Sequence, residues 1–181
     1  MASLLCLGFW QFGQGAYIPA KAWVAQELMN RAWRKAEEGA RSPAPWPWAD
    51  TSPVARLTAR NGDIELIVLE GGSGRTLAFG PGHLGISVQP GEIGNSIIAG
   101  HRDTHFQFLQ YLRVGDVIEV ESPEGPRHYF QVTSVDVVDS RRGSLVLDTE
   151  EPMMSLVTCY PFDALEPGGP MRYVVSSRLM I

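Results

Sequence analysis

A mainly β, barrel-like domain is what this sequence predicts, and three observations carry that reading. After residue 53, short runs of strand-forming residues recur between turn signals, as in closed all-β domains. The nineteen glycines and thirteen prolines are scattered rather than repeated, which favours many tight turns over long helices. Within this region only Phe106 to Leu112 has helical character, about two turns of it.

The strands follow in order. Val54 to Ala59, Ile64 to Leu69 and Thr76 to Phe79 are expected first, separated by Asn61-Gly62 and by Gly71-Gly-Ser-Gly74, both turn chemistries. Ile97 to Ala99, Asp116 to Val120, Tyr129 to Thr133 and Val135 to Val138 come next, then Leu145 to Leu147, Leu156 to Thr158 and Tyr173 to Ser177. No internal repeat interrupts the series.

Three segments of different character divide the chain: an N-terminal part over residues 1–38, a Pro/Trp-rich linker over 39–53 and the barrel over 54–181. Met1 to Ala20 carries no charged side chain and is apolar through Leu4, Leu5, Leu7, Phe9, Trp10 and Phe12. A spanning helix needs about 20 such residues, so an export or anchor segment is expected. Lys21, Arg31, Arg34 and Lys35 follow it and none precedes it, an unusual polarity for a segment whose C-terminal side is exported. From Lys21 to Glu38, Trp23, Leu28, Met29, Ala32, Trp33 and Ala36 recur at helical spacings, which predicts a helix with one apolar face. Pro43, Pro45, Pro47 and Pro53 then force an extended chain, with Trp46 and Trp48 expected to dock on the barrel.

A net charge of −5 and the lack of any basic run exclude a nucleic-acid polyanion as the main partner. The two cysteines, Cys6 and Cys159, lie in different segments and make no disulfide framework. Cys159 ends the apolar run Leu156-Val-Thr158, and Pro161 stops any regular ladder beyond it. The thiol therefore sits at the lip of a sheet, and its positive partners must come from other strands. His101, after Ile97-Ile-Ala-Gly100, and Arg172, opening the run to Val175, occupy such places.

These three residue types suit acyl transfer. A free thiol is only a few per cent ionised at neutral pH, and the thiolate is the nucleophile. A neighbouring imidazolium stabilises the sulfur anion and can protonate a departing amine. A guanidinium stabilises an oxyanion without losing its own proton. Taken singly, each residue also has a structural explanation: a packed thiol, a turn-capping histidine, or an arginine paired with Asp163 or Glu166.

Gly80-Pro-Gly-His83, Pro90-Gly-Glu-Ile-Gly-Asn95, Ala99-Gly-His-Arg-Asp-Thr-His-Phe106, Val114-Gly-Asp116, Leu156-Val-Thr-Cys-Tyr-Pro161 and Arg172-Tyr-Val-Val175 stand in the order found in sortases. From about Trp46 to its end the chain resembles that family of cysteine transpeptidases, most closely its single-sortase Gram-negative type. The resemblance implies a closed eight-stranded barrel with short helices. It implies a Cys159 acyl-enzyme formed on a C-terminal sorting signal, often of the Leu-Pro-x-Thr-Gly type, and transfer of the acyl group to an amine in the envelope. His101 would be general acid and Arg172 the oxyanion holder, while His83, Thr158 and Tyr160 are substrate-side candidates. No cofactor or metal is implied, and no calcium-like acidic cluster is visible. The partners would be a signal-bearing protein, an amine acceptor and the membrane, reached through the N-terminal segment. The location implied is the inner membrane with the barrel in the periplasm.

Other residues compete for these roles. Arg178 lies six residues after Arg172, so on one unbroken strand both face the same side. Arg102 and Arg113 read as surface or structural residues. His101 and His105 have a metal-like spacing only on a helix, and Gly100 and Asp103 argue for a loop there. Asp103 could orient His101 or form an Asx turn. Two other functions are open on the residues alone. One is an L,D-transpeptidase-like peptidoglycan enzyme, against which Val157-Thr158 stands where Ser-x-Gly is usual. The other is a binding module with an inert Cys159.

Overall fold

The computed structural model describes residues 23–164 and 168–180. Eight strands close into a barrel in the order β1-β2-β3-β4-β7-β8-β6-β5. They are β1 (Pro53–Ala59), β2 (Ile64–Glu70), β3 (Gly82–His83), β4 (Gly94–Ala99), β5 (Val117–Glu121), β6 (Arg127–Asp139), β7 (Pro152–Cys159) and β8 (Met171–Leu179). Two pairs, β2 with β3 and β4 with β7, run parallel, and the remaining pairs are antiparallel. Closure removes the unpaired edges that a sheet of this size would otherwise expose.

Alternation fills the interior. Ala55, Leu57 and Ala59 of β1, Ile118 and Val120 of β5, and Phe130 and Val132 of β6 point inward at every second position. Met154 and Leu156 of β7 and Val175 of β8 join them, and Phe106, Phe108 and Leu109 plug the barrel from the connection after β4. That connection holds a 3-10 turn, Gln107–Tyr111, where the sequence predicts helical character.

Four strand expectations differ from the structure. Thr76 to Phe79 is not a strand. Ser73 caps a one-turn helix, Gly74–Leu77, by accepting the Thr76 N–H at 3.2 Å, and this local bond overrides the β-propensity of Thr76 and Phe79. Residues 129–133 and 135–138 form one long strand, β6, with the pairing to β8 shifting between Val132 and Ser134; a bulge bends a strand without ending it. Leu145 to Leu147 lies on β4 as a loop, held by Asn95, whose N–H reaches the Leu147 carbonyl at 2.8 Å and whose Nδ2 reaches the Val146 carbonyl at 2.9 Å. The two-residue β3 carries no apolar run to announce it. A Cβ at Gly82 would lie 2.0 Å from the Gly71 carbonyl oxygen, so only glycine lets the two backbones pass this closely.

The amphipathic helix is present as α1, residues 23–37, and its apolar face packs on the barrel. Met29 and Trp33 are buried with Ile67 and Leu69 of β2, and Trp46 and Phe79 close the cluster, the last two rings meeting edge-on at 4.7 Å. Arg56 of β1 stacks over the Trp33 ring at 4.8 Å, a cation–π contact. Trp46 docks as expected, whereas Trp48 stays 82% exposed. The expected export or anchor segment, Met1 to Ala20, lies outside the described residues, and among those described no helix is long and apolar enough to cross a membrane. Trp33 is fully buried, so Trp33→Ala is expected to cost about 3–5 kcal/mol, read as a lowered urea midpoint.

Candidate active site

The end of β7 carries the thiol, and strand parity aims it. Met154 and Leu156 point into the core, so Val157 and Cys159 point to the outer face of the barrel. On β8, Val175 and Ser177 are buried inward, which puts Arg172 and Val174 outward by the same alternation. Cys159 and Arg172 are direct partners in the antiparallel β7–β8 register, and side chains so paired lie about 5 Å apart at Cβ on one face. The thiol and the guanidinium are thus neighbours by construction of the sheet. Arg178 pairs with Met153, at the other end of the same ladder, and forms an ion pair with Glu151 at 3.3 Å. Even spacing gives Arg178 the same face as Arg172, but the register puts it far from the thiol.

His101 reaches this end along β4. The parallel register sets Ala99 against Val157, and the Gly100 N–H still bonds the Val157 carbonyl at 3.1 Å, so His101 leaves the sheet level with Cys159. Its carbonyl accepts the Phe106 N–H at 2.9 Å, closing a turn over residues 102–106. Gly100 makes this turn possible, because a Cβ there would meet the buried Phe106 ring at 2.8 Å. The three chemical groups occupy one rim: His101 is exposed, and Cys159 and Arg172 are half-buried. Further down the same outer face, Asn95, Ile97 and Ser155 are buried beneath the loops after β3 and before β7, leaving the Cys159 end open.

Arg172 is oriented by its own loop, Nη1 donating to the Gly169 carbonyl at 2.6 Å and the Met171 carbonyl at 2.9 Å. Nη2 and Nε take no partner among the described residues. The other candidates have internal tasks. His83 is 1% exposed and its Nε2 lies 2.8 Å from the Val88 carbonyl oxygen and 3.3 Å from Ser87 Oγ, so its ring is buried and holds the turn after β3. Thr158 is buried, donating its hydroxyl to the Gly100 carbonyl at 2.7 Å; this ties the residue before Cys159 to the residue before His101. Tyr160 stacks on Tyr173 at 6.1 Å, with Phe162 against both rings, and it keeps a half-exposed edge at the rim. Asp103 neither orients His101 nor makes an Asx turn; it takes Arg102 Nε at 3.1 Å.

His105 shares the turn with His101. Burial, and then the charge of His101, hold its basicity below the usual imidazole value. Among the described residues no group of three or more His, Cys, Asp or Glu gathers as metal ligands would. Of the two readings open for Arg102, surface or structural, the structure takes the second, and its neighbours, Pro161 and Ala164, which the sequence does not disclose, are some sixty residues away in the chain. A guanidinium bound to distant backbone carbonyls leaves no mark in local spacing.

A Sortase-domain family model matches residues 57–180. The chain belongs to the sortase family. Sortase D of Bacillus subtilis strain 168 is 33% identical over 114 residues, which are 62% of this chain and 57% of that protein. The aligned part thus spans little more than half the length of that curated relative. Among solved structures, a Clostridium perfringens Sortase D5 transpeptidase superposes with a TM-score of 0.64 at 23% identity, over 86% of this chain and 93% of that one. Sortase A from Corynebacterium diphtheriae does so with a TM-score of 0.65 at 20% identity, over 87% and 84%. These likenesses show the sortase barrel. Family membership sets aside the L,D-transpeptidase reading.

Proposed function

We propose that this sortase is a cysteine transpeptidase acting on a C-terminal sorting signal. The observation that carries the reading is the pairing of Cys159 with Arg172 on the outer face of the barrel, at the rim that His101 reaches along β4. The Cys159 thiolate attacks a peptide carbonyl and forms a thioester, the C–N bond breaks, and His101 gives the departing amine its proton. Arg172 holds the oxygen that turns negative in between, through Nη2 and Nε. An amine then attacks the thioester, the now neutral His101 takes the proton the amine sheds, and the C–S bond breaks to release the thiolate, which restores the starting thiolate and imidazolium. A Leu-Pro-x-Thr-Gly-type signal, a signal-bearing substrate protein and an envelope amine are the partners in this reading. The Gram-negative type belongs to it as well and rests on the Pro/Trp segment before the barrel and on Gly80-Pro-Gly-His83, while the inner-membrane site, with the barrel on the periplasmic side, rests on the apolar, uncharged stretch Met1 to Ala20.

Intact-mass spectrometry of the full chain with a panel of such peptides tests the reaction. A covalent adduct on Cys159 that an added amine discharges is the expected result. An adduct discharged by water alone would make the enzyme a processing peptidase, and no adduct on any peptide would defeat the proposal. Arg172→Lys is expected to lower kcat on the order of 10²-fold, the cost of losing an oxyanion donor, because an ammonium cannot keep its loop carbonyls and a substrate oxygen together. Peptide-cleavage kinetics check this, and near-normal turnover would take Arg172 out of the site.

A further inference from the structure

Arg102 stands beside His101 in the chain, yet it is only 7% exposed. Its guanidinium spends all three nitrogens on fixed partners. Nη1 donates to the Pro161 carbonyl, Nη2 to the Ala164 carbonyl at 2.6 Å, and Nε to Asp103 Oδ1 at 3.1 Å. Pro161 and Ala164 belong to the connection that starts directly after Cys159 and leads into Arg172. On the other flank of His101, the Gly100 carbonyl takes the Thr158 hydroxyl. The histidine is therefore bracketed, one residue on either side, by bonds to residues that bracket the cysteine.

We propose that Arg102 is a positioning residue for the transpeptidation described above: it clasps the chain after Cys159 to the turn that carries His101, and so sets the thiol, the imidazole and the start of β8 in one arrangement. Two features favour this over simple filling of space. A buried charge is costly unless it is paired and hydrogen-bonded, and here both carbonyl acceptors come from a single three-dimensional target, the residues just past the nucleophile. The forked guanidinium bridges two carbonyls that lie three residues apart, which an ammonium cannot do from one point. Asp103, 69% exposed at its side chain, balances the charge from the solvent side without touching Cys159.

The inference rests on the reading of Cys159 as nucleophile, and the test separates the two. Arg102→Gln and Arg102→Lys are compared with the unaltered full chain for kcat and KM on the sorting peptide, and for the rate at which iodoacetamide alkylates Cys159. Misplacement of about 1 Å costs on the order of 10²-fold, so kcat is expected to fall by about that factor in Arg102→Gln and about tenfold in Arg102→Lys, with KM changed less than about twofold. Alkylation is expected to slow in both. A fold-only role would lower the melting temperature and leave kcat intact in the surviving folded protein. Wild-type kcat and alkylation in a folded Arg102→Lys would overturn the inference; this variant keeps the charge, so it decides the matter if Arg102→Gln does not fold. Should the unaltered chain form no peptide adduct, the reaction fails instead, and the alkylation rates still read the clasp.

Discussion

Replacing Cys159 with alanine is expected to abolish peptide cleavage and thioester formation, a fall on the order of 10⁴-fold or more, while the barrel melts almost where it did. The size of the loss follows from the lack of a stand-in. Ser155 is buried and its hydroxyl is given to Asn95 Oδ1 at 3.1 Å, and the Thr158 hydroxyl is given to the Gly100 carbonyl inside the barrel. Neither oxygen can reach a carbonyl lying over the outer rim. The small effect on stability follows from position. Cys159 is the last residue of β7, half-exposed, with no place in the apolar core, and such substitutions usually change stability by about 0.5 kcal/mol or less. Cleavage kinetics, intact mass and a thermal melt measure the three quantities. Cleavage by Cys159→Ala above about a hundredth of the normal rate would move the nucleophile elsewhere, and a melt lowered by many degrees would make the cysteine structural.

Much of this site is legible in the sequence because strand ends are. Apolar runs that stop at Gly100 and at Cys159, and one that begins near Arg172, put the three groups at sheet margins. The closed register then needs only β4 beside β7 and β7 beside β8 to bring them to one rim. What the sequence leaves out is what depends on contacts across the fold. His83 looks like a turn residue that could face substrate, yet its ring is drawn inward by Val88. Arg102 reads as either a surface or a structural residue, and only the contacts with Pro161 and Ala164 decide for the second. The parity rule alone puts Arg178 with Arg172; Arg172 is singled out because it opens its strand close to the Cys159 loop, and the pairing with β7 sets it against Cys159 and Arg178 against Met153. Strand lengths fail for a related reason: a bulge keeps β6 whole across Val132 and Ser134, and a capping hydroxyl turns residues 74–77 into a helix.

His101→Ala is expected to cost on the order of 10³-fold or more in kcat/KM, within the range of a lost general acid, and His105 should not rescue it. His105 lies in the same turn, but burial first and the His101 charge second hold it below the ordinary imidazole value. At neutral pH it therefore carries a proton even less often than a free histidine, and a group that lacks the proton cannot donate it. Removing His101 abolishes the second cause and leaves the first, so the His105 titration, followed by its ring-proton NMR resonance, should move upward yet stay below the ordinary value. An unmoved resonance would mean that the two rings do not sense each other. The shift has a consequence for stability with a definite sign. A histidine whose folded pKa is depressed contributes stability that is complete above its unfolded value, near 6.5, and is lost as pH falls through the folded one. Raising the folded value narrows that window, so through His105 the His101→Ala protein should lose less of its stability on acidification than the unaltered chain. Loss of catalysis and gain of acid tolerance in one variant is a combination that general damage to the fold would not produce.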